Sequence, residues 1–336
     1  MSGLSAATRP KPASIAVLLD LARADMAGVD ALIRDKMQSP VSVIPALAEH
    51  LIADAGKRLR PLLTVAAARL AGARDDKALM LAAAVEFIHT ATLLHDDVVD
   101  SSELRRGKVA AHLIWGAPSS VLVGDFLFAR AFELMVDAGS MAALEILARA
   151  SRVIAEGEVL QLTRAHDLGL TQEMYLQIIG AKTAELFAAS AEAGAVAAGA
   201  SAERCTALRR FGQELGIAFQ LVDDALDYGG SSEAMGKNTG DDFREGKATL
   251  PLLLAMARAG EGERDFWTRT VDLHDQTPAD FDRARELMAR TGALEATLQL
   301  AADYAESAKA ALADFPAGGW RAALEDLADF AVARRA

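Results

Sequence analysis

Apolar residues recur at helical spacing along nearly the whole chain, as Ile15, Leu18, Leu19 and Leu21 do near its start. No stretch of useful length alternates apolar and polar residues as a half-buried strand would. The spacing predicts helices over 15–36, 41–55, 59–72, 76–100, 119–138, 140–164, 171–191, 201–228, 247–258, 279–291, 293–313 and 319–335. Turn residues mark the breaks at Pro40, Gly72, Gly116-Ala117-Pro118, Gly139, Gly169, the stretch 229–246 and Pro316. No linker is long or flexible enough to separate two domains. The pattern therefore predicts an all-α fold, a single-domain helical bundle around a central cavity, over 15–336. Residues 1–14 hold Ser, Ala and Pro but no apolar core of a secretory signal, and are expected to be a disordered lead-in.

Composition supports the helical reading, because 52% of residues are hydrophobic but only 5% are aromatic, and Ala and Leu lose little freedom in a helix. Charge narrows the function. With 47 Asp+Glu against 35 Lys+Arg, the net charge of −12 argues against nucleic acid as a partner, since phosphate backbones are bound by basic surfaces. A single cysteine, Cys205, excludes an intrachain disulfide and a multi-thiolate metal site. The run 78–94 is interrupted by Glu86 and His89 and falls short of the ~20 apolar residues of a transmembrane segment. A soluble, cytoplasmic protein is expected.

One internal echo carries the chemistry. An apolar helix ending in Asp96-Asp97-Val-Val-Asp100 resembles a later one ending in Asp223-Asp224-Ala-Leu-Asp227. At about 100° per residue, Asp96 and Asp100 lie about 40° apart on one helix face with Asp97 beside them. The same arithmetic groups Asp223, Asp224 and Asp227, with Gln220 one turn earlier. Six converging carboxylates would repel one another unless divalent cations sat among them, and oxygen-only ligands suit Mg²⁺ completed by substrate phosphates. The apolar approach to each motif, Phe87, Ile88, Leu93 and Leu94 or Ile217, Phe219, Leu221 and Val222, is not that of a solvated face. Basic clusters supply the counter-charge for a diphosphate: Lys57-Arg58-Leu-Arg60, Arg105-Arg106-Gly-Lys108, Lys182, Lys237 and Arg244-Glu-Gly-Lys247.

As an ordered set these motifs resemble the trans-prenyl diphosphate synthases. The resemblance runs from about Lys57 to Pro251 and includes GKRLRP at 56–61, DDVVD at 96–100 with Arg105-Arg106-Gly107, GDFLFARAF at 124–132, Lys182-Thr183, Gln220 with the second aspartate motif, and GKNTGDDFREGKATLP at 236–251. It implies that Asp96, Asp97, Asp100, Asp223, Asp224 and Asp227 hold three Mg²⁺ per active site, with Mn²⁺ as an alternative ion. Arg105, Lys182, Thr183, Gln220, Lys237 and Lys247 would bind the allylic diphosphate. Lys57, Arg60, His89 and Arg106 would bind isopentenyl diphosphate without metal. Asp96, Asp97, Asp100, Lys182, Thr183, Gln220, Asp223 and Asp224 would form the catalytic set. Ionisation of the allylic diphosphate, attack by the isopentenyl double bond and loss of a proton complete the implied reaction. The resemblance also implies a homodimer.

Product length is read from the residues before Asp96. Short-chain members of the family place a bulky aromatic four or five residues upstream, whereas here Ala91 and Thr92 leave room for a growing chain. The sequence FIHTATLLHDDVVD is similar to those of bacterial octaprenyl to decaprenyl diphosphate synthases that supply the ubiquinone side chain, so a medium or long all-trans product is expected. A short-chain farnesyl or geranylgeranyl synthase is the nearer alternative. An HD-type all-α metal phosphohydrolase using His95-Asp96 with His89 and His50, or a non-catalytic partner subunit, is the alternative of a different class. The phosphohydrolase leaves the second motif unexplained, and a partner subunit would not need six ordered carboxylates. A terpene cyclase would need an Asn-based second metal motif, but the only asparagine is Asn238.

Overall fold

The structure, a computed structural model, describes residues 14–52, 57–105, 107–229 and 239–334. The expected lead-in, Arg106 and Lys237 lie almost wholly outside that range. The chain forms α1 (Ala16–Leu21), α2 (Arg23–Lys36), α3 (Val43–Ile52), α4 (Leu59–Ala71) and α5 (Lys77–Val99). A short antiparallel hairpin follows, β1 (Leu104–Arg105) and β2 (Lys108–Val109), then α6 (Ala111–Trp115), α7 (Ala117–Asp137) and α8 (Met141–Thr163). Helix α9 (Gln172–Ile179) runs through a π-helical turn, Gly180–Ala184, into α10 (Glu185–Ala197), and α11 is Ala202–Gly229. The C-terminal part holds α12 (Asp241–Arg244), α13 (Leu250–Ala257), α14 (Glu261–Trp267), a second π-helical turn (Thr268–Asp272), α15 (Asp280–Thr291), α16 (Ala293–Ala311) and α17 (Gly319–Ala333).

The all-α expectation holds. Helices α5 and α10 are apolar around most of their circumference, and a helix of that kind belongs in the interior. Accordingly α5 packs against α4 and α7, while α10 packs against α4, α8 and α11. By length and composition α5 could cross a membrane, and fourteen of its residues are instead buried in the protein core. Helix ends follow local chemistry: the Ser140 hydroxyl caps α8 by accepting from the Ala143 N–H at 3.3 Å, and the Thr171 hydroxyl caps α9 from the Met174 N–H at 3.2 Å. A smaller core around Trp267, Tyr228, Phe243, Leu252 and Met288 ties α12–α15 to the end of α11.

Where the outcome differs from the periodicity, the elements are short. The expected helix 15–36 breaks at Ala22, and the hairpin, α6, α12 and α14 have too few residues to generate a repeating signal. The crossing of α10 and α11 is set by Gly212 and Gly216. A Cβ on Gly216 would lie 2.5 Å from the Ala184 Cα, and one on Gly212 would lie 2.4 Å from the Phe187 carbonyl oxygen. Gly216→Val should destabilise the protein by roughly 1–3 kcal/mol through overpacking, read as a lower urea midpoint; an unchanged midpoint would contradict this crossing.

Candidate active site

Helix α5 delivers Asp96 and Asp100, and α11 delivers Asp223 and Asp224, to one cavity of about 440 Å³. Both sets lie in the last turns of their helices, where the aligned peptide dipoles place partial negative charge, so the backbone adds to the repulsion among the carboxylates. Arg60, His89, Thr92, Arg105, Lys182, Thr183, Gln220 and Lys247 line the same cavity, together with Glu158, Asp241, Asp242 and Glu245. The structure therefore brings together twelve residues singled out in the sequence from six separate segments.

Each side chain is held by specific partners. Lys182 stands on the π-helical turn and donates to Glu158 Oε2 at 2.6 Å and Gln161 Oε1 at 2.9 Å. The Thr183 hydroxyl donates to Gln220 Oε1 at 2.8 Å, and Gln220 Nε2 donates to Asp224 Oδ1 at 2.7 Å. The buried Tyr175 hydroxyl donates to the other Asp224 oxygen. Lys247 contacts Asp100 Oδ2 at 3.1 Å and Glu245 Oε2 at 2.5 Å. Burial opposes the charge on Lys247, but Asp100, Glu245 and Asp242 outweigh it and raise its pKa.

Two aspartates of the motifs sit behind the cavity rather than on its wall. Asp97 is fully buried and accepts from Arg105 Nε at 2.8 Å and from its Nη2, so the expected phosphate contact of Arg105 coexists with an ion pair to the motif. Asp227 is also fully buried and accepts from the backbone N–H of Asp242 at 3.1 Å, pinning the 240–249 segment to α11. Asp97 is turned about 100° from Asp96 along the helix, whereas Asp227, one turn beyond Asp223, is covered by the backbone of the 240–249 segment. Ala91 is likewise buried in the core, while Thr92 reaches the cavity wall and donates to the His89 carbonyl at 2.8 Å.

A second cavity of about 240 Å³ adjoins the first through Arg60, His89 and Phe219. Cations resting on aromatic faces define it: Lys57 Nζ is 4.1 Å from the Phe330 centroid, Arg60 Cζ 4.4 Å from Phe187 and Arg334 Cζ 3.7 Å from Phe219. Arg60 Nη1 lies 3.2 Å from His89 Nε2. Arg334 also binds Asp223 Oδ1 at 2.8 Å and the Phe219 carbonyl at 3.0 Å, which links this cavity to the second aspartate motif. Burial, with the charge of Arg334, lowers the Lys57 pKa.

Sequence reasoning missed Arg334, Glu158, Gln161, Tyr175, Asp241, Asp242 and Glu245. The acidic residues at 241–245 lie inside a motif that was recognised, and the Glu158/Gln161 pair, three residues apart and one turn of α8, was a signal available in the sequence. Arg334 gave none, since it is separated from every motif by the C-terminal helices. The histidines expected of a phosphohydrolase do not converge: His50 Nε2 contacts the Val109 carbonyl at 3.0 Å, His95 Nε2 contacts the Val121 carbonyl at 3.0 Å, and His89 faces Arg60.

The cavity fits divalent cations on its charge. Burial raises the Asp96 pKa to about 7, and the neighbouring charges of Glu158 and Asp100 push the same way against Lys182 and Arg105. Burial and the nearby Asp242 raise Asp224 well above the carboxylate range. Among the described residues, no three of His, Cys, Asp and Glu form a preformed ion cage. Such a site suits an ion that takes part of its coordination from substrate oxygens and water, as Mg²⁺ does.

An all-α bundle whose two aspartate-rich helix ends and ring of cations face one cavity defines a class of enzyme that handles diphosphates through divalent ions. The polyprenyl synthetase family model matches residues 41–288, and the chain belongs to that family. It is 46% identical over 315 residues to the octaprenyl diphosphate synthase of Escherichia coli, covering 94% of this chain and 97% of that protein. It is also similar to a crystal structure of a polyprenyl synthase from Caulobacter crescentus complexed with calcium and isoprenyl diphosphate, at 72% identity, TM-score 0.95, and coverage of 98% and 100% of the two chains. A decaprenyl diphosphate synthase from Rhodobacter capsulatus is 53% identical with TM-score 0.91, covering 95% and 98%. The protein is a prenyltransferase of the polyprenyl diphosphate synthase type, a type generally dependent on divalent metal.

The raised Asp96 pKa has a sign that can be measured. A carboxyl whose folded pKa exceeds its unfolded value favours the fold fully below the unfolded pKa and loses that contribution as pH rises through about 7. A cation held by Asp96 would displace the same proton, so its affinity would rise over that range. The upward shift of melting temperature caused by millimolar Mg²⁺ should be larger at pH 8 than at pH 5.5; equal shifts would contradict this account of Asp96.

Proposed function

We propose that the protein condenses isopentenyl diphosphate with farnesyl or geranylgeranyl diphosphate to make a medium or long all-trans polyprenyl diphosphate, octaprenyl to decaprenyl, for a ubiquinone side chain. The observation that carries the reading is the juxtaposition of two cation-rich cavities, one flanked by carboxylates and one lacking a second aspartate motif of its own, joined at Arg60, His89 and Phe219. The carboxylate-lined cavity would take the allylic diphosphate, with Asp96, Asp100, Asp223 and Asp224 holding Mg²⁺, three ions per site, and Asp97 and Asp227 supporting from behind. Mg²⁺ when bound supplies positive charge that stabilises the departing diphosphate. Lys182, Lys247 and Arg105, with Lys237, bind the same group. Lys57, Arg60 and His89, with Arg106, seat isopentenyl diphosphate. The hydrogen-bonded series Thr183, Gln220, Asp224 and Tyr175 fixes the wall between the two reactants. The proton lost after condensation is assigned to the released diphosphate.

Small residues support the long product. Ala91 is buried in the core and Thr92 sits on the cavity wall, so neither of these two positions places an aromatic ring beside Asp96. The same proposal covers a single synthase domain over 15–336, a cytoplasmic location and a homodimer. Leu122 and Val136 on one side of α7, with Leu113 of α6 and Met141 of α8, are more than half exposed, as an unpaired apolar interface would be.

Incubation with Mg²⁺, farnesyl diphosphate and excess isopentenyl diphosphate, followed by mass spectrometry of the dephosphorylated products, is expected to give chains of octaprenyl to decaprenyl length. Products stopping at geranylgeranyl would overturn the long-chain reading, and no elongation would overturn the reaction itself. Asp96→Ala and Asp223→Ala should each lower turnover by about 10²–10³-fold or more with the fold retained by circular dichroism. Ala91→Phe should shorten the product, and an unchanged length would show that the chain descends elsewhere.

A further inference from the structure

Lys247 reaches Asp100 from the 240–249 segment, which Asp227 and the buried Phe243 tie to the end of α11. Helix α12 is a single turn, and beyond it Gly246 turns the chain with φ +66° so that Lys247 enters the cavity. The segment is braced by two histidines and a glutamine on other elements, and the two histidines also line a cavity of about 480 Å³ that Asp100, Lys182, Asp224 and Lys247 share. A Cβ on Gly246 would lie 2.4 Å from His166 Nδ1 and 3.2 Å from His274 Nδ1, so the two imidazoles press against this residue. His166 Nδ1–H donates to the Val271 carbonyl at 3.0 Å, and the two rings meet edge to face with centroids 5.2 Å apart. Gln276 Nε2 donates to the Phe243 carbonyl and to the Thr270 carbonyl, each at 2.8 Å, stitching α12 to the second π-helical turn.

The brace is itself held rigid. Arg269 grips Asp280 through two bonds, Nη1 to Oδ2 at 3.0 Å and Nη2 to Oδ1 at 2.6 Å, and the Thr277 N–H and hydroxyl add bonds of 2.7 and 2.8 Å to the same carboxylate. His166 and His274 both adopt left-handed backbone, φ +64° and +51°, a conformation that non-glycine residues keep only where surrounding structure over-determines it. Both strained residues meet at the same glycine, one residue from a cation of the site.

We infer that His166, His274 and Gln276 are positioning residues that set the height of Lys247 above Asp100 and thereby the affinity for the allylic diphosphate. They act through Gly246 and Phe243. The inference rests on the assignment of Lys247 to that diphosphate. Loss of the brace lets the Lys247 segment recede, and a displacement of the order of 1 Å at a charge-positioning group is enough to weaken binding severalfold or more.

Steady-state kinetics on the full chain test this with the two substrates varied separately. His166→Ala and Gln276→Ala are each expected to raise the KM for farnesyl diphosphate about tenfold while the KM for isopentenyl diphosphate stays within about twofold. His166→Asn should retain the wild-type KM, because asparagine tolerates positive φ and its amide can donate to the Val271 carbonyl. In a Lys247→Ala background, Gln276→Ala should add nothing, since coupled residues fail to add. Equal rises for both substrates, or full additivity with Lys247→Ala, would overturn the brace. Lys247→Ala with an unchanged farnesyl diphosphate KM would instead overturn the assignment of Lys247 beneath it.

Discussion

Repulsion among carboxylates that the fold itself gathers is the constraint on which this structure turns. Asp96, Asp100, Asp223 and Asp224 converge from two helices whose C-terminal dipoles make the location worse for anions. The protein meets this partly with its own groups. Lys247 answers Asp100, Arg334 answers Asp223, and the amide and phenol of Gln220 and Tyr175 answer Asp224. Among the described residues no side chain bonds Asp96 directly, and its carboxyl rises to about 7 under burial and the charges of Glu158 and Asp100. Local stability given up in this way marks a site built for charged ligands.

Holding such charges together requires a stiff frame. The two motif helices are not neighbours by accident: α11 lies against α10 at glycine-permitted distance, and α10 in turn packs on α4 and α8, whose Arg60 and Glu158 enter the cavities. Lys182 and Thr183 occupy the π-helical turn before α10, where the local widening shifts side-chain direction relative to a continuous α-helix. The polar site is therefore bolted to the most deeply buried apolar helices of the protein.

The motifs serve more than one layer. Asp97 and Asp227 belong to the same sequence repeats as the cavity-facing aspartates, yet they secure the β-hairpin through Arg105 and the 240–249 segment through the Asp242 amide. One repeat thus supplies both cavity-facing carboxylates and the fastening of the neighbouring hairpin and the 240–249 segment. Arg334 shows the converse, a side chain with no motif that joins the two cavities from the far end of the chain.

The sequence by itself determined the helical fold, because Ala and Leu at a 3.6 period admit little else, and it determined the chemistry of the site, because repeated aspartates on apolar helices have few uses. Asp96, Asp100, Asp223, Lys182 and Gln220 were legible for that reason: spacing within a helix fixes which residues share a face. Which of the six aspartates face the cavity, the engagement of Arg105 by Asp97, and the addition of Glu158, Tyr175, Asp242 and Arg334 to the site came from packing. These depend on distances between elements far apart in the chain. Periodicity reports how a helix divides its own faces, whereas helix crossings, short turns and the return of the C-terminus are settled by packing among all of them at once.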